Sequence, residues 1–317
     1  MENQNSSGWE REVLTKLAFA AVKEQKKTRF WQIFFRFIFI LMFLFSFVIT
    51  VGSLAIGTTD INKESDHVAV VNLFGVIDSS GTASAARVIP SLQAAFANPN
   101  SRAVILRVDS PGGSPVQSGM IHDEIYRLKE LHKKPIYAVV EDTCASGSYY
   151  VAVATDKIFV NRASVVGSIG VRMGGFGFVE GMKMVGVERR LVTAGKNKAF
   201  RDPFSEQTEA HKQASQALVD DVHQQFIDVV KKGRGDKLED DPEIFSGMVW
   251  TGRQAVKMGL VDELKDINTI MREMFDSIAL VDYSYKGDFL DSLSRKIGVS
   301  VTEKVENSIG DKNRLML

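Results

Sequence analysis

Two glycine-rich turns, each following a strand-like apolar run, hold the residues of this chain best suited to chemistry. The first turn, residues 109–113 (DSPGG), follows the run AVILRV, and the second places Ser146 and Gly147 before the helix-like run YYVAVAT. Glycine allows close approach of the backbone to another group. A serine at a helix N-terminus lies beside free N–H groups that favour developing negative charge. Ser146 is therefore a candidate nucleophile, although a serine at such a junction is also a common helix cap.

A nucleophilic serine needs a general base, and the positions of the histidines do not indicate one for Ser146. A GxSxG elbow would need glycine where this chain has Cys144, and none of the five histidines lies in a motif-like setting. A lone cysteine among small residues usually fills space. The remaining chemistry is a serine activated by a neutral lysine. Residues 191–198 (LVTAGKNK) offer Lys196 and Lys198, each of which, taken alone, is typical of a surface lysine.

Composition narrows the classes of function. The 317 residues include 39 basic and 39 acidic side chains, so the formal net charge of zero gives no electrostatic footprint for a nucleic acid. One cysteine excludes an intrachain disulfide. No HExxH and no paired His/Cys spacing occurs, so a zinc site has weak support. We expect neither a metal nor an organic cofactor.

A long apolar run near the N-terminus predicts one membrane-spanning helix. Residues 37–56 carry no charge, and as a helix they extend about 30 Å, the thickness of a bilayer core. Basic residues crowd the N-terminal flank: Lys23, Lys26, Lys27, Arg29 and Arg36. The positive-inside rule then places residues 1–36 in the cytoplasm and the rest of the chain outside it. A cleaved signal peptide is the alternative, but the long preceding segment favours a retained anchor.

Beyond a polar linker at residues 57–66, the pattern is that of an α/β domain. The runs HVAVVNLFGVI, AVILRVD, PIYAVV and KIFV read as strands. Residues 117–132 and 206–232 read as helices. This alternation predicts buried parallel strands in a domain over residues 67–275, followed by a polar tail at residues 276–317.

Several segments, taken together, resemble the signal peptide peptidase A family in its short, single-copy form. They read VDSPGG (108–113), ASGSYYVAVATDKI (145–158), VVGSIGV (165–171), GKNK (195–198) and VWTGRQAVKMGLVD (249–262). They occur in the order found in that family and cover roughly residues 67–275. The resemblance implies a peptidase domain with a crotonase-like, Clp-peptidase-like α/β spiral fold.

The resemblance also implies roles for particular residues. Ser146 matches the family's nucleophile and Lys198 its general base. Ser168 matches a serine that orients the lysine, and the N–H groups of Gly113 and Gly147 match the oxyanion hole. The chain departs from the family pattern just after the nucleophile, where Ser148 stands in place of a second glycine.

The implied biology is degradation of cleaved signal peptides and other apolar peptides at a bacterial inner membrane, by a periplasmic or extracytoplasmic catalytic domain. The family forms closed homo-oligomers, here expected to have eight subunits, in which each serine meets a lysine of the neighbouring subunit. The residues alone leave open whether Ser146 and Lys198 meet within one chain or between two. A crotonase-fold acyl-CoA enzyme and a non-catalytic membrane scaffold are the rival readings.

Overall fold

The computed structural model describes residues 6–56 and 63–286. These residues fall into two units, and the boundary between the units lies between residues 61 and 62. The first unit is a single helix, α1 (Ser6–Ile56). Within it, Lys23–Thr50 is long and apolar enough to cross a membrane, with a mean hydropathy of 2.5. The described side chains from residue 23 to residue 50 are exposed. Such an apolar surface is poorly solvated by water. The length and apolar composition of this helix therefore suit the predicted membrane anchor.

The second unit is built on one eight-stranded sheet over the described residues. Its main strand order is β6-β5-β3-β2-β1-β8, with β4 beside β3 and β7 beside β4. All pairs are parallel except β5 with β6. The strands are β1 (His67–Phe74), β2 (Ser101–Ser110), β3 (Ile136–Ala145), β4 (Lys157–Val160), β5 (Val165–Gly167), β6 (Val249–Thr251), β7 (Glu263–Leu264) and β8 (Ala279–Asp282).

Helices cover both faces of this sheet. They are α2 (Ala85–Ala97), α3 (Pro115–His132), α4 (Gly147–Ala152), α5 (Val179–Met184), α6 (Glu209–Arg234), α7 (Gly252–Lys257) and α8 (Ile267–Met274), with 3-10 turns at Gly235–Lys237 and Pro242–Phe245. Alternate residues of β1 serve the two faces. Ala69 and Val71 join the larger core with α2, α3, α4 and α6, whereas Val68 and Val70 pack with α8. Burial on both faces explains why the strands read as continuous apolar runs.

This architecture confirms the predicted α/β class with one N-terminal helix. The sheet extends further along the chain than the predicted domain, because β8 lies within residues 276–317 and pairs with β1 in parallel. The buried side chain of Val281 packs this short strand into the domain, and its backbone pairing covers the edge of β1. Most of the predicted linker (57–62) and the later part of the predicted tail (287–317) lie outside the described residues.

A buried ion pair between Arg234 and Asp262 supports the backbone segment to which helix α4 is bonded. The side chains of Arg234 and Asp262 are 3% and 9% exposed, and their N–O distance is 2.9 Å. The Arg234 guanidinium also donates to the carbonyl of Gly259, while the hydroxyl of Tyr149, in α4, donates to the next carbonyl, that of Leu260. The ion pair thus holds the backbone segment on which the fully buried Tyr149 is anchored.

We predict that this ion pair makes the stability of the domain depend on pH. Burial raises the pKa of Asp262, but hydrogen bonds from Arg234, Lys237 and the Ile158 N–H outweigh burial, and the net pKa lies below the ordinary 3.8. A depressed folded-state pKa stabilises the fold above the unfolded-state pKa, and this contribution is lost as the pH falls through the folded value. Asp262→Asn should lower the free energy of unfolding by about 3–5 kcal/mol at neutral pH.

Denaturant titrations of the wild type and the variant at neutral pH and at pH values below 4 test this expectation. The difference between the two proteins should shrink on acidification. The exposed Asp240 provides the matched control, and Asp240→Asn should leave the unfolding curve unchanged at either pH. A constant wild-type-to-Asp262→Asn difference across the titration would contradict the assignment.

Candidate active site

Ser146 occupies a strained turn between β3 and α4. Its backbone angles are φ 58° and ψ −126°, a conformation that costs a non-glycine residue about 1–3 kcal/mol. Both sides of the turn impose it. The end of β3 pairs with β5, and the Ser146 N–H donates to the Gly167 carbonyl at 2.8 Å. On the other side, the Ser146 carbonyl accepts the N–H groups of Tyr149 and Tyr150.

The hydroxyl of Ser146 has no hydrogen-bond partner within the described part of the chain, although the residue is only 5% exposed. It does not cap α4, because no side-chain bond to the helix N-terminus forms. A buried polar group left unpaired costs about 1–3 kcal/mol. A strained backbone and an unpaired buried hydroxyl at one residue are features that cluster at functional sites.

The two glycine turns lie against each other at this point. Gly112 has φ 90°, and a Cβ placed on it would lie 2.5 Å from the Gly147 nitrogen and 2.6 Å from the Ala145 carbonyl oxygen. The Gly113 nitrogen lies 3.2 Å from the position that a Cβ of Gly147 would take. Only glycine permits this approach. The N–H groups of Gly113 and Gly147 make no backbone hydrogen bond recorded among the described residues, so both remain available to an oxyanion.

Ser146 and Ser168 line one groove of about 470 Å³. Ser168 also has a positive φ, 53°, and its N–H donates to the Met248 carbonyl at 2.7 Å, just beyond the β5–β6 pair. The groove carries small and apolar side chains together with one arginine: Val76, Pro111, Gly112, Gly113, Ser146, Ser168, Gly170, Val171, Arg172, Ser246 and Gly247. The groove thus brings Ser146, Ser168 and Gly113 together.

Lys198 is not brought to this groove within one chain. It lies on an exposed turn at residues 194–200, is absent from the groove lining, and donates its N–H to the Gly195 carbonyl. Lys196 is exposed on the same turn. Both belong to a long segment, residues 172–198, in which every residue but three is exposed. Larger clefts, of about 770 and 520 Å³, follow this segment and the start of α6. We assign the site to the smaller groove, because it alone contains Ser146.

Cys144 is excluded as an alternative nucleophile by its surroundings. It is fully buried, and burial raises the pKa of its thiol to about 12, although the neighbouring Ser148 hydroxyl opposes the shift. The thiol is therefore protonated at neutral pH, and a thiol is a far weaker nucleophile than a thiolate. Among the described residues, no histidine lines the groove that holds Ser146.

Ser118, which borders the site, was not singled out from the sequence, whereas Gly112 and Ser110 lie in the predicted DSPGG turn. Gly112 makes the closest contact with the nucleophile turn. Ser118, on α3, buries an unpaired hydroxyl 2.5 Å from the position of a Gly147 Cβ. Ser110 accepts the Gly112 N–H on its side-chain oxygen at 3.1 Å. The spacing SPGGS-x-x-x-S carries no signal for the role of Ser118, because the helix α3 brings it under the turn only after packing on α4.

Comparison with known proteins relates this site to a peptidase family. Residues 129–280 match the model of peptidase family S49. A protein of Brucella abortus named Na(+)/H(+) antiporter NhaA is 42% identical over 214 residues, which are 66% of this chain and 29% of that protein. A putative signal peptide peptidase SppA of Enterococcus faecium is 31% identical over 205 residues, 64% of this chain and 59% of that one. The chain therefore spans less than two thirds of the length of these relatives.

Among solved structures, a mutant of 1510-N, a membrane-bound stomatin-specific protease, aligns with a TM-score of 0.42 and 15% identity, over 69% of this chain and 94% of that one. The matched family region includes Ser146 and Ser168 together with Lys198. Over residues 129–280 the chain thus matches peptidase family S49, and it is similar to a protein named as a putative signal peptide peptidase SppA.

Proposed function

We propose that the chain is a membrane-anchored serine endopeptidase that uses Ser146 as nucleophile and Lys198 as general base. The observation that carries this proposal is the buried, unpaired hydroxyl of Ser146 on a strained turn, beside the free N–H groups of Gly113 and Gly147. The match to a peptidase family supports the reaction class.

The chemistry follows from these groups. The Ser146 hydroxyl attacks the carbonyl carbon of a peptide bond, and the neutral amine of Lys198 takes the hydroxyl proton. The N–H groups of Gly113 and Gly147 stabilise the tetrahedral oxyanion, an effect worth about 3–4 kcal/mol per donor. Lys198 then gives its proton to the leaving amine, and water hydrolyses the acyl-enzyme. Ser168, which lines the same groove, orients the lysine.

Lys198 reaches the groove of a neighbouring subunit in this proposal. Within one chain the lysine is exposed and outside the groove. The segment that carries it leaves large apolar side chains in water, with Met184 88% and Val192 96% exposed. A closed homo-oligomer, of eight subunits by the family resemblance, would bury these side chains. The same docking would take water from the lysine amine and favour its neutral form.

Apolar, extended peptides such as cleaved signal peptides are the proposed substrates. Val76, Pro111 and Val171 give the groove apolar walls, while Gly170 and Gly247 leave room for side chains. The helix α1 serves as the anchor in the bacterial inner membrane, with the N-terminus in the cytoplasm and the catalytic domain outside it. That topology would tether the catalytic domain to the membrane from which apolar peptides leave.

The first prediction is that Ser146→Ala and Lys198→Ala each reduce kcat for an apolar fluorogenic peptide by at least about 10³-fold, because each removes a group that acts in the transition state. Lys196→Ala is the matched control and should retain activity within about twofold. Circular dichroism and the mass of the assembly check that all three variants keep the wild-type structure. Full activity in Lys198→Ala would refute the lysine assignment.

The second prediction concerns the pairing of subunits. Ser146→Ala and Lys198→Ala chains, inactive separately, are mixed, dissociated and reassembled. If the pair forms between subunits of a closed ring, random mixing gives about one quarter of the sites an intact pair, and activity returns to about that fraction. If mixed assemblies form, as shown by a mass tag on one variant, and stay inactive, the pair lies within one chain.

The third prediction tests the oxyanion hole through its packing. Gly112→Ala places a Cβ against the backbone of Ala145 and Gly147 at a positive φ, so it should destabilise the domain by about 1–3 kcal/mol. It should also remove most of the activity, because the turns must separate. Gly119→Ala, in α3 with no atom near the added Cβ, is the control and should leave the thermal midpoint and kcat unchanged or slightly raised. Equal behaviour of the two variants would contradict the proposed packing.

A further inference from the structure

The two halves of the proposed oxyanion hole come from different strands, and the regular ladder between these strands is interrupted just before them. The register of β2 on β3 moves from Val108 opposite Val140 to Ser110 opposite Cys144. The strand β3 therefore carries extra residues at this point, which form a bulge. Pairing resumes with a single residue pair, Ser110 opposite Cys144, so little regular ladder holds the turns that follow, and other contacts must help to set their relative position.

Ser148 provides a contact that spans this gap. Its hydroxyl is fully buried in the first turn of α4 and lies 2.7 Å from the carbonyl oxygen of Ser110 and 2.8 Å from that of Ala145. One carbonyl belongs to the turn that carries Gly113, and the other directly precedes Ser146. A serine hydroxyl has one proton, which these two acceptors share.

Other contacts near the two turns act on one turn or within the bulge. The first turn is tied to Ile77, whose N–H donates to the Gly112 carbonyl and whose carbonyl accepts the Ser114 N–H. The Gly112 N–H donates to the side-chain oxygen of Ser110, and both residues are in the first turn. The Thr143 N–H donates to the Asp109 carboxylate at 3.2 Å, inside the bulge and before the second turn. The hydrogen bond from Ser148 to Ser110 therefore joins the two turns beyond the point where the ladder is irregular.

We propose that Ser148 is a positioning residue that sets the spacing between the N–H groups of Gly113 and Gly147. The inference rests on the proposed peptidase function and assigns a role to the position at which this chain departs from the glycine of the family pattern. Losing the hydroxyl removes this donor to the Ser110 carbonyl and weakens the tie between the first turn and the turn that carries Ser146. The oxyanion then loses stabilisation, while the groove that binds the rest of the peptide is preserved.

The test compares Ser148→Ala with Thr155→Val in the full-length chain in detergent. Thr155 is a close match, because its buried hydroxyl, just beyond the C-terminal end of α4, also faces two carbonyl oxygens, those of Ala152 and Lys157. Ser148→Ala should lower kcat about tenfold, the effect of weakening one oxyanion contact by about 1.4 kcal/mol, with KM within about twofold. Thr155→Val should leave kcat unchanged even if it lowers the thermal midpoint.

A second readout separates positioning from general loss of structure. A peptide aldehyde adds the Ser146 oxygen to its carbonyl carbon, and the serine proton passes to Lys198, so the adduct carries an oxyanion in the hole. Affinity for the aldehyde should fall about tenfold in Ser148→Ala, in parallel with kcat/KM, since both report the same tetrahedral geometry. Affinity for the corresponding peptide alcohol, which forms no adduct, should stay within about twofold.

The outcomes separate this inference from the function on which it rests. If the wild type and Ser146→Ala hydrolyse peptides equally, or neither does, the proposed peptidase site is wrong. If the wild type is active and Ser148→Ala keeps its kcat and aldehyde affinity, the peptidase stands and the role of Ser148 is refuted. Ser148→Gly, which removes the hydroxyl without adding an atom, gives the same reading should Ser148→Ala fail to fold.

Discussion

The pairing of β3 with β5 at the end of the sheet is the constraint on which the site depends. It holds Ala145 opposite Gly167 and gives the Ser146 N–H its acceptor. The helix α4 begins at the next residue, so the chain must turn at Ser146 within a single residue. The positive φ of Ser146 is the geometric result. A helix started at this point cannot use the serine as its cap, and the hydroxyl stays unpaired beside the groove.

Packing at a distance from the groove keeps this strained turn in place. Tyr149 is fully buried and bonded to the carbonyl of Leu260, and the neighbouring Gly259 carbonyl accepts from Arg234. The free energy stored in the turn is about 1–3 kcal/mol, which is comparable to what burial of one large aromatic side chain contributes. The strain therefore persists because the surrounding core over-determines the backbone.

The described domain brings the proposed nucleophile and the two proposed oxyanion donors together, but it does not bring the proposed base, Lys198, into the same groove. Lys198 lies instead on an exposed segment whose apolar side chains have no cover within the chain. An apolar surface of this kind is stable in water when another surface covers it. In the proposed function, one event accounts for both observations. Docking of the exposed segment on a neighbouring subunit would cover its apolar side chains and bring Lys198 to the groove, so catalysis depends on assembly.

The sequence by itself determined those features that depend on local residue types. The uninterrupted apolar run predicts α1, buried β-branched runs predict the parallel strands, and Gly112, Gly113 and Gly147 mark the turns that approach closely. The family resemblance added Ser146 as the nucleophile and Ser168 as its neighbour in one groove. Each of these features depends on a residue and its near neighbours in the chain, so each can be predicted before the fold is known.

The tertiary structure alone decided which distant segments meet. It paired β8 with β1 across the length of the domain, and it placed Ser118 and the Ser148 hydroxyl beneath the two turns. It also separated Lys198 from the groove of its own chain. These outcomes depend on sheet register, on a bulge between β2 and β3, and on packing of α3 against α4. These long-range contacts depend on how side chains are buried over the whole domain, so they cannot be predicted from any short segment of the sequence.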